Sequence, residues 1–224
     1  MSMLEKIKRG LIVSCQALPN EPMHSSFIMG RFAKAAELGG AVGIRANTVA
    51  DINEIKKNTS LPVIGLIKKE YAGSSVYITP TFAEVKELAR ADVDIIAIDA
   101  TERNRPNGEV LSEIVKELRK IFGGLVLADI DDYTEAQKAQ ELGFDLIGTT
   151  LRGYTEKTKG ITIPDFGFIE RLAKTIKVPI VAEGGINTPD ELKKTLDCGA
   201  YCAVVGGAIT RPQNITRRFV EWLN

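Results

Sequence analysis

Eight short apolar runs, each followed by a segment of helical period, set the tightest limit on what this chain can fold into. The runs are Leu11–Ala17, Ala41–Ala46, Pro62–Ile67, Asp94–Ala100, Leu125–Ile130, Asp145–Thr149, Pro179–Ala182 and Tyr201–Val205. They are rich in Ile, Val and Leu and do not alternate polar with apolar residues. Strands buried on both faces read this way, as in a parallel sheet covered by helices. The intervening segments carry helix start signals. Thr48 to Asp51, Thr81 to Glu84 and Thr188 to Glu191 each set a capping hydroxyl three residues before a carboxylate, which satisfies amides left free in a first helical turn. Gly39-Gly40, Gly123-Gly124, Gly143 and Gly199 stand just before strands as stop signals. In Glu113–Phe122, Ile114, Val115, Leu118 and Ile121 share one face.

A doubly wound eight-stranded sheet is one reading of this pattern. Eight strand–helix units in 224 residues, with a helix (Asn214–Leu223) after the last strand, fit a closed (β/α)8 TIM barrel better. No Ser/Gly/Pro-rich linker divides the chain, so residues 1–224 are expected to form a single domain.

Composition narrows the function classes. Lys plus Arg and Asp plus Glu are 29 each, giving a formal net charge of zero, which disfavours binding of nucleic acid through a general basic field. No run approaches the roughly 20 apolar residues of a membrane helix, and the charged N-terminus is no secretory signal. A cytoplasmic location is expected. Cys15, Cys198 and Cys202 form no CxxC pair and read as reduced packing residues. His24 is the only histidine, which argues against a His-rich metal centre, and no metal is called for.

In such barrels the chemistry sits at the C-terminal ends of the strands. Those ends carry Gln16, Arg45, Lys68, Asp99, Asp129, Thr149-Thr150, Glu183 and Gly206-Gly207, following stretches that are otherwise apolar. They are expected to converge on one pocket. Glu183-Gly-Gly-Ile-Asn187 follows the seventh strand and Val204-Val-Gly-Gly-Ala-Ile209 the eighth. The loops after strands seven and eight are the usual phosphate cradle of this fold. A short helix at Ala208–Arg211 would end at Pro212, with Arg211 as a clamp on phosphate. Lys68 and Glu183 end the third and seventh strands, which lie diametrically opposite in an eight-stranded barrel. Lys68 reads as a base whose pKa is lowered by desolvation and by a cation such as Arg45; a Schiff-base or phosphate-binding lysine is the alternative. Glu183 reads as an opposed acid or as a buried ion-paired carboxylate.

The same residues carry a resemblance that spans nearly the whole chain in order. His24-Ser-Ser-Phe-Ile-Met-Gly30, Gly65-Leu-Ile-Lys-Lys69, Tyr77-Ile-Thr-Pro80, Arg105-Pro-Asn-Gly108, Glu183-Gly-Gly-Ile-Asn187 and Val204-Val-Gly-Gly-Ala-Ile-Thr-Arg-Pro212 closely resemble the N-acetylmannosamine-6-phosphate 2-epimerases of bacterial sialic-acid catabolism. The resemblance implies a (β/α)8 barrel, often dimeric, that converts N-acetylmannosamine 6-phosphate to N-acetylglucosamine 6-phosphate without a cofactor. It puts the catalytic lysine on Lys68 and the catalytic glutamate on Glu183. Sugar contacts fall on Gln16, Arg45 and Asp129, and the phosphate site on Gly184, Gly185, Gly206, Gly207 and Arg211. Gly185 departs from relatives that carry Arg there, so only its backbone role carries over. Two proton-transfer schemes follow. In one, Glu183 is the opposite-face acid. In the other, Lys68 or a substrate hydroxyl handles both transfers at C2, and Glu183 orients the lysine and assists ring opening. A Schiff-base aldolase and a sugar-phosphate sensor without turnover are the rival functions.

Overall fold

A computed structural model describes residues 2–223. Eight parallel strands pair in sequence order and close into a barrel: β1 Leu11–Cys15, β2 Gly43–Asn47, β3 Val63–Leu66, β4 Ile95–Asp99, β5 Leu125–Asp129, β6 Leu146–Gly148, β7 Ile180–Glu183 and β8 Cys202–Val205. Closure is direct, since β1 pairs with β2 through Ile12↔Gly43 and with β8 through Ile12↔Val204. The helices are α1 Met3–Ile7, α2 Ser26–Leu38, α3 Val49–Asn58, α4 Phe82–Leu88, α5 Leu111–Ile121, α6 Tyr133–Glu141, α7 Phe166–Thr175, α8 Pro189–Asp197, α9 Gly207–Thr210 and α10 Pro212–Glu221. The expected barrel and all eight expected strands are therefore present.

The strands divide their side chains between two cores. Ile12, Ile64, Leu66, Ile95, Leu127, Leu146, Val181 and Cys202 fill the barrel interior. Val13, Ile44, Val63, Ile96, Val126 and Ile147 point outward against the helices. Burial on both sides is why the runs lack polar alternation, and each such side chain contributes about 1.5–3 kcal/mol by leaving water. The barrel's N-terminal end is plugged by α1, whose Ile7 joins the interior core. The Tyr201 hydroxyl donates to the Leu4 carbonyl at 2.9 Å and holds that plug in place.

Helix starts follow the capping logic. Thr81 with Glu84 and Thr188 with Glu191 form reciprocal capping boxes, and Asp132 with Glu135 forms another that a search for hydroxyl caps passes over. Thr48 caps α3 with its side chain. The Glu84 and Glu135 carboxylates also tie neighbouring loops down. Glu84 accepts from Lys69 and Tyr71, and Glu135 accepts from the amides of Glu102, Asp131 and Asp132. These braces stiffen the C-terminal rim of the barrel, where the site lies.

Some expectations need correction. The helix expected over Glu113–Phe122 runs Leu111–Ile121, and Ile121 is exposed while Ile114, Val115 and Leu118 are buried. Ile121 ends the helix beyond the strip that faces the sheet. The short helix after β8 is Gly207–Thr210, and the last helix starts at Pro212, whose ring suits a first helical turn. Phe219 and Trp222 on this last helix are both exposed, and α1 occupies the N-terminal end of the barrel.

Candidate active site

A cavity of about 620 Å³ opens at the C-terminal end of the strands. One wall is Lys68 with Tyr77, and the wall facing it is Thr150, Tyr154 and Glu183. Ser14 and Gln16 reach in from β1, and Gly184, Gly185, Gly206, Gly207 and Arg211 line the remaining side. Of the residues expected to bind or transform substrate, only Arg45 and Asp129 lie outside this lining. They sit beneath its floor, with side chains 1% and 0% exposed.

These two form a charged floor. Arg45 grips Asp129 in bidentate fashion, Nη2 to Oδ2 at 2.6 Å and Nη1 to Oδ1 at 3.2 Å. The same Nη1 lies 3.3 Å from Glu183 Oε2. Thr150 completes the cluster: its hydroxyl lies 2.5 Å from Asp129 Oδ1 and 3.3 Å from Glu183 Oε2. Arg45 comes from β2, Asp129 from β5, Glu183 from β7, and Thr150 from just beyond β6, as the barrel's staggered register allows. Burial pushes the Glu183 carboxyl above the usual range, with the Asp129 charge adding to the rise and Arg45 opposing it. Oε1 of Glu183 has no hydrogen bond among the described residues.

Lys68 follows β3 after one intervening residue, Ile67. The Asn47 side chain accepts its backbone N–H at 2.8 Å, and it bridges to Ile78 in the loop after β3. Desolvation lowers the ammonium pKa to about 8, and the Arg45 and Arg211 cations act in the same direction. Glu183 and Glu21 pull it back up, but less strongly. Among the described residues, no carboxylate lies within ion-pair distance of Lys68 Nζ. A lysine held this way releases its proton near neutral pH, as a general base must.

The glycine side of the cavity is shaped for an anion. Gly184 and Gly185 adopt φ values of +114° and +71°, which a side chain would strain. A Cβ on Gly185 would fall 2.6 Å from the backbone carbonyl of Ile163, so in this loop packing position 185 has no room for a side chain. At Gly206 and Gly207 a Cβ would stand 3.9 and 4.0 Å from Arg211 Nη1. The guanidinium thus overlooks a strip of bare backbone. Arg211 gives its Nε and Nη2 to Glu21 in the loop after β1, and Nη1 makes no hydrogen bond among the described residues.

Other expected groups serve elsewhere. Asp99 does not line the cavity; it is buried against Thr101 and Arg103 and organises the loop after β4. His24 contacts the Ala17 carbonyl with Nδ1 at 3.0 Å and fixes the loop after β1. Cys15 is buried, and desolvation pushes its thiol up to about 12, so it carries no thiolate near neutral pH. Gln16 lines the cavity and donates to Ser14 Oγ at 2.9 Å, while its buried Oε1 has no partner among the described residues. Among the described residues, the acids Asp131, Asp132 and Glu135 approach metal-like spacing, within 4.8 Å. Their oxygens are largely taken, however, by loop amides, Thr134, Thr155 and Lys157.

Sequence reasoning did not single out Tyr77, Tyr154, Glu21 or Thr150 as site residues. Tyr77 and Tyr154 lie in loops, where no period reports direction. Thr150 was visible only as one of several polar strand ends.

Residues 29–224 match the family model described as "Putative N-acetylmannosamine-6-phosphate epimerase". A relative in Clostridioides difficile (strain 630), named "Putative N-acetylmannosamine-6-phosphate 2-epimerase", is 58% identical over 219 residues, 98% of each chain. One of the same name in Clostridium perfringens (strain 13) is 57% identical over 221 residues, 99% of this chain and 100% of its own. The solved structure of the N-acetylmannosamine-6-phosphate 2-epimerase from Clostridium perfringens superposes with a TM-score of 0.96 at 56% identity, covering 99% of this chain and 96% of that one. A thiamine phosphate pyrophosphorylase from Pyrococcus furiosus, at 17% identity and a TM-score of 0.63, shares the fold alone. With matches of this extent over the closed barrel, the chain belongs to the N-acetylmannosamine-6-phosphate epimerase family.

Proposed function

We propose that this protein inverts C2 of N-acetylmannosamine 6-phosphate to give N-acetylglucosamine 6-phosphate, a step of amino-sugar and sialic-acid catabolism. The observation that carries the reading is the pairing of a low-pKa lysine and a carboxylate on opposite walls of one cavity whose third side is bare glycine backbone under Arg211. Backbone N–H groups around Gly184, Gly185, Gly206 and Gly207, with Arg211 Nη1, bind the phosphate and so fix the sugar across the cavity. In the open-chain sugar, C2 lies α to the C1 aldehyde. Neutral Lys68 takes the C2 proton, and the electron pair moves onto the C1 oxygen as an enolate. A proton returned to the opposite face of C2 restores the aldehyde with inverted configuration. Glu183 works from the opposite wall, either on C2 itself or on the ring oxygen during opening. Gln16 lines the cavity and stands beside the sugar. Arg45, itself fixed by Asp129, holds Glu183 from below.

The relatives' names support the same substrate. Proton NMR in D2O with EDTA and N-acetylmannosamine 6-phosphate tests the reading. The gluco epimer with deuterium at C2 is the expected product. Tight binding with no product would instead make this a sensor. A borohydride-trapped adduct on Lys68 would move the chemistry to a Schiff base. Deuterium in the product but not in the recovered substrate marks Glu183 as the second group acting on C2. Washout into both pools marks Lys68 as the group handling both faces.

A further inference from the structure

The hydroxyl of Thr150 has one hydrogen and two carboxylate neighbours, Asp129 Oδ1 at 2.5 Å and Glu183 Oε2 at 3.3 Å. It cannot serve both at once. Arg45 Nη1 repeats the arrangement from the other side, at 3.2 and 3.3 Å from the same two oxygens. Oε2 of Glu183 is therefore enclosed by two donors fixed to the barrel wall. Its Oε1 has no partner among the described residues and does not figure among the buried unpaired atoms, so it opens to the cavity. We infer that Thr150 is a positioning residue for Glu183: its shared hydroxyl pins Oε2 and leaves Oε1 as the single oxygen that exchanges protons with substrate.

The physical basis is a hydrogen that follows the charge. When Glu183 is anionic, the Thr150 hydrogen and Arg45 both stabilise Oε2. When Oε1 takes a proton, the carboxyl becomes the weaker acceptor and the hydrogen turns fully to Asp129, the nearer partner. Proton transfer at Oε1 is thus accompanied by a hydroxyl rotation and not by movement of a buried charged side chain. The groups facing Glu183 are Arg45 from β2, Lys68 beyond β3, Asp129 from β5, and Thr150 and Tyr154 from the loop after β6. Thr150 and Tyr154 both carry neutral hydroxyls, and Thr150's is the one within hydrogen-bond distance of the Glu183 carboxylate.

Which sugar the enzyme turns over rests on the function proposed above, but the tuning of Glu183 can be measured without substrate. The test uses full-length protein carrying 13C in its glutamate carboxyls, with the Glu183 signal assigned by its absence in Glu183→Gln. In Thr150→Val, an isosteric change that removes the donor, the Glu183 titration moves to higher pH by about 1, a tenfold gain in proton affinity. Thr150→Ser keeps the wild-type midpoint. Should Thr150→Val fold poorly, Thr150→Ala carries the same comparison. An unmoved midpoint in the donor-free variant overturns the assignment, as does a serine variant that behaves like valine. In parallel, with N-acetylmannosamine 6-phosphate, Thr150→Val lowers kcat about tenfold with KM nearly unchanged, and serine restores it. If wild-type protein shows no turnover while the titration moves as stated, the proposed substrate fails and the role of Thr150 stands.

Discussion

Arg211 gives Nε and Nη2 to the Glu21 carboxylate, the latter at 3.0 Å, and holds Nη1 over the backbone of Gly206 and Gly207. The guanidinium is thereby aimed before any anion arrives. Because Nε and Nη2 are committed to Glu21, Nη1 is the nitrogen that the proposed function assigns to phosphate, with the glycine backbone supplying the rest. Arg211→Gln should raise KM for the phosphorylated sugar by about 10- to 100-fold, the equivalent of one charge-assisted hydrogen bond. Inhibition by inorganic phosphate should weaken in parallel, while any slow turnover of unphosphorylated N-acetylmannosamine stays unchanged. Equal losses on both sugars would remove Arg211 from the phosphate site.

The same arginine helps set the acidity of Lys68. Desolvation lowers that ammonium to about 8, and Arg45 and Arg211 push further in the same direction. The base form is the neutral amine, so kcat/KM should rise with pH through about 8 and level off above it. At pH 7 about a tenth of the enzyme carries the neutral amine. Arg211→Gln removes one of the two depressing cations, so the limb should move to higher pH. Lys68→Ala should cost about 10²–10⁴-fold in kcat, the worth of a placed base. A wild-type limb that coincides with free lysine would show that the site does not lower the pKa of this amine.

Gly185 offers a steric test. Its φ of +71° opposes a side chain, and so does the Ile163 carbonyl, which would stand 2.6 Å from a Cβ at this position. Gly185→Ala should lose about 1–2 kcal/mol to the left-handed backbone alone, plus the displacement of the loop at Ile163. Because that loop borders the cavity, KM should rise as well. Urea denaturation and steady-state kinetics read the two effects separately. An alanine variant as stable as wild type would show that the loop around Ile163 yields freely.

How much of this was legible beforehand follows from what each signal encodes. The barrel was visible because burial on both faces forces unbroken Ile/Val runs, and capping chemistry marks the helices between them. Lys68, Glu183, Gln16 and the glycine pairs were visible because charge or glycine at the end of an apolar strand is costly without a purpose. Asp99 carried the same signal yet serves a loop, because strand-end position does not say where a side chain turns. Arg45 and Asp129 were found, but their depth was not, since only the register of β2 against β5 across the barrel makes them partners. Glu21 and Arg211 lie 190 residues apart and no local pattern joins them. Ile121 fits the helical period and is still exposed, because α5 outlasts its contact with the sheet.

The charged floor predicts its own pH-dependent weakness. Arg45 is the cation between Asp129 and Glu183, and its side chain is 1% exposed. Arg45→Met keeps the apolar bulk but leaves two buried carboxylates facing each other. Breaking a buried pair by removing one partner costs about 3–5 kcal/mol, and that should appear in denaturant unfolding at neutral pH. The sign with pH is fixed by Glu183, whose carboxyl is already pushed up by burial and rises further once Arg45 no longer opposes that shift. A group with its folded pKa above the unfolded one favours the folded state at low pH and loses that contribution as pH rises. The deficit of Arg45→Met relative to wild type should therefore be small near pH 5 and grow toward pH 8. Adding Asp129→Asn should recover part of it by deleting one of the stranded charges. A deficit independent of pH would mean that the lost arginine acted through packing, and that the floor is not the electrostatic unit its geometry describes.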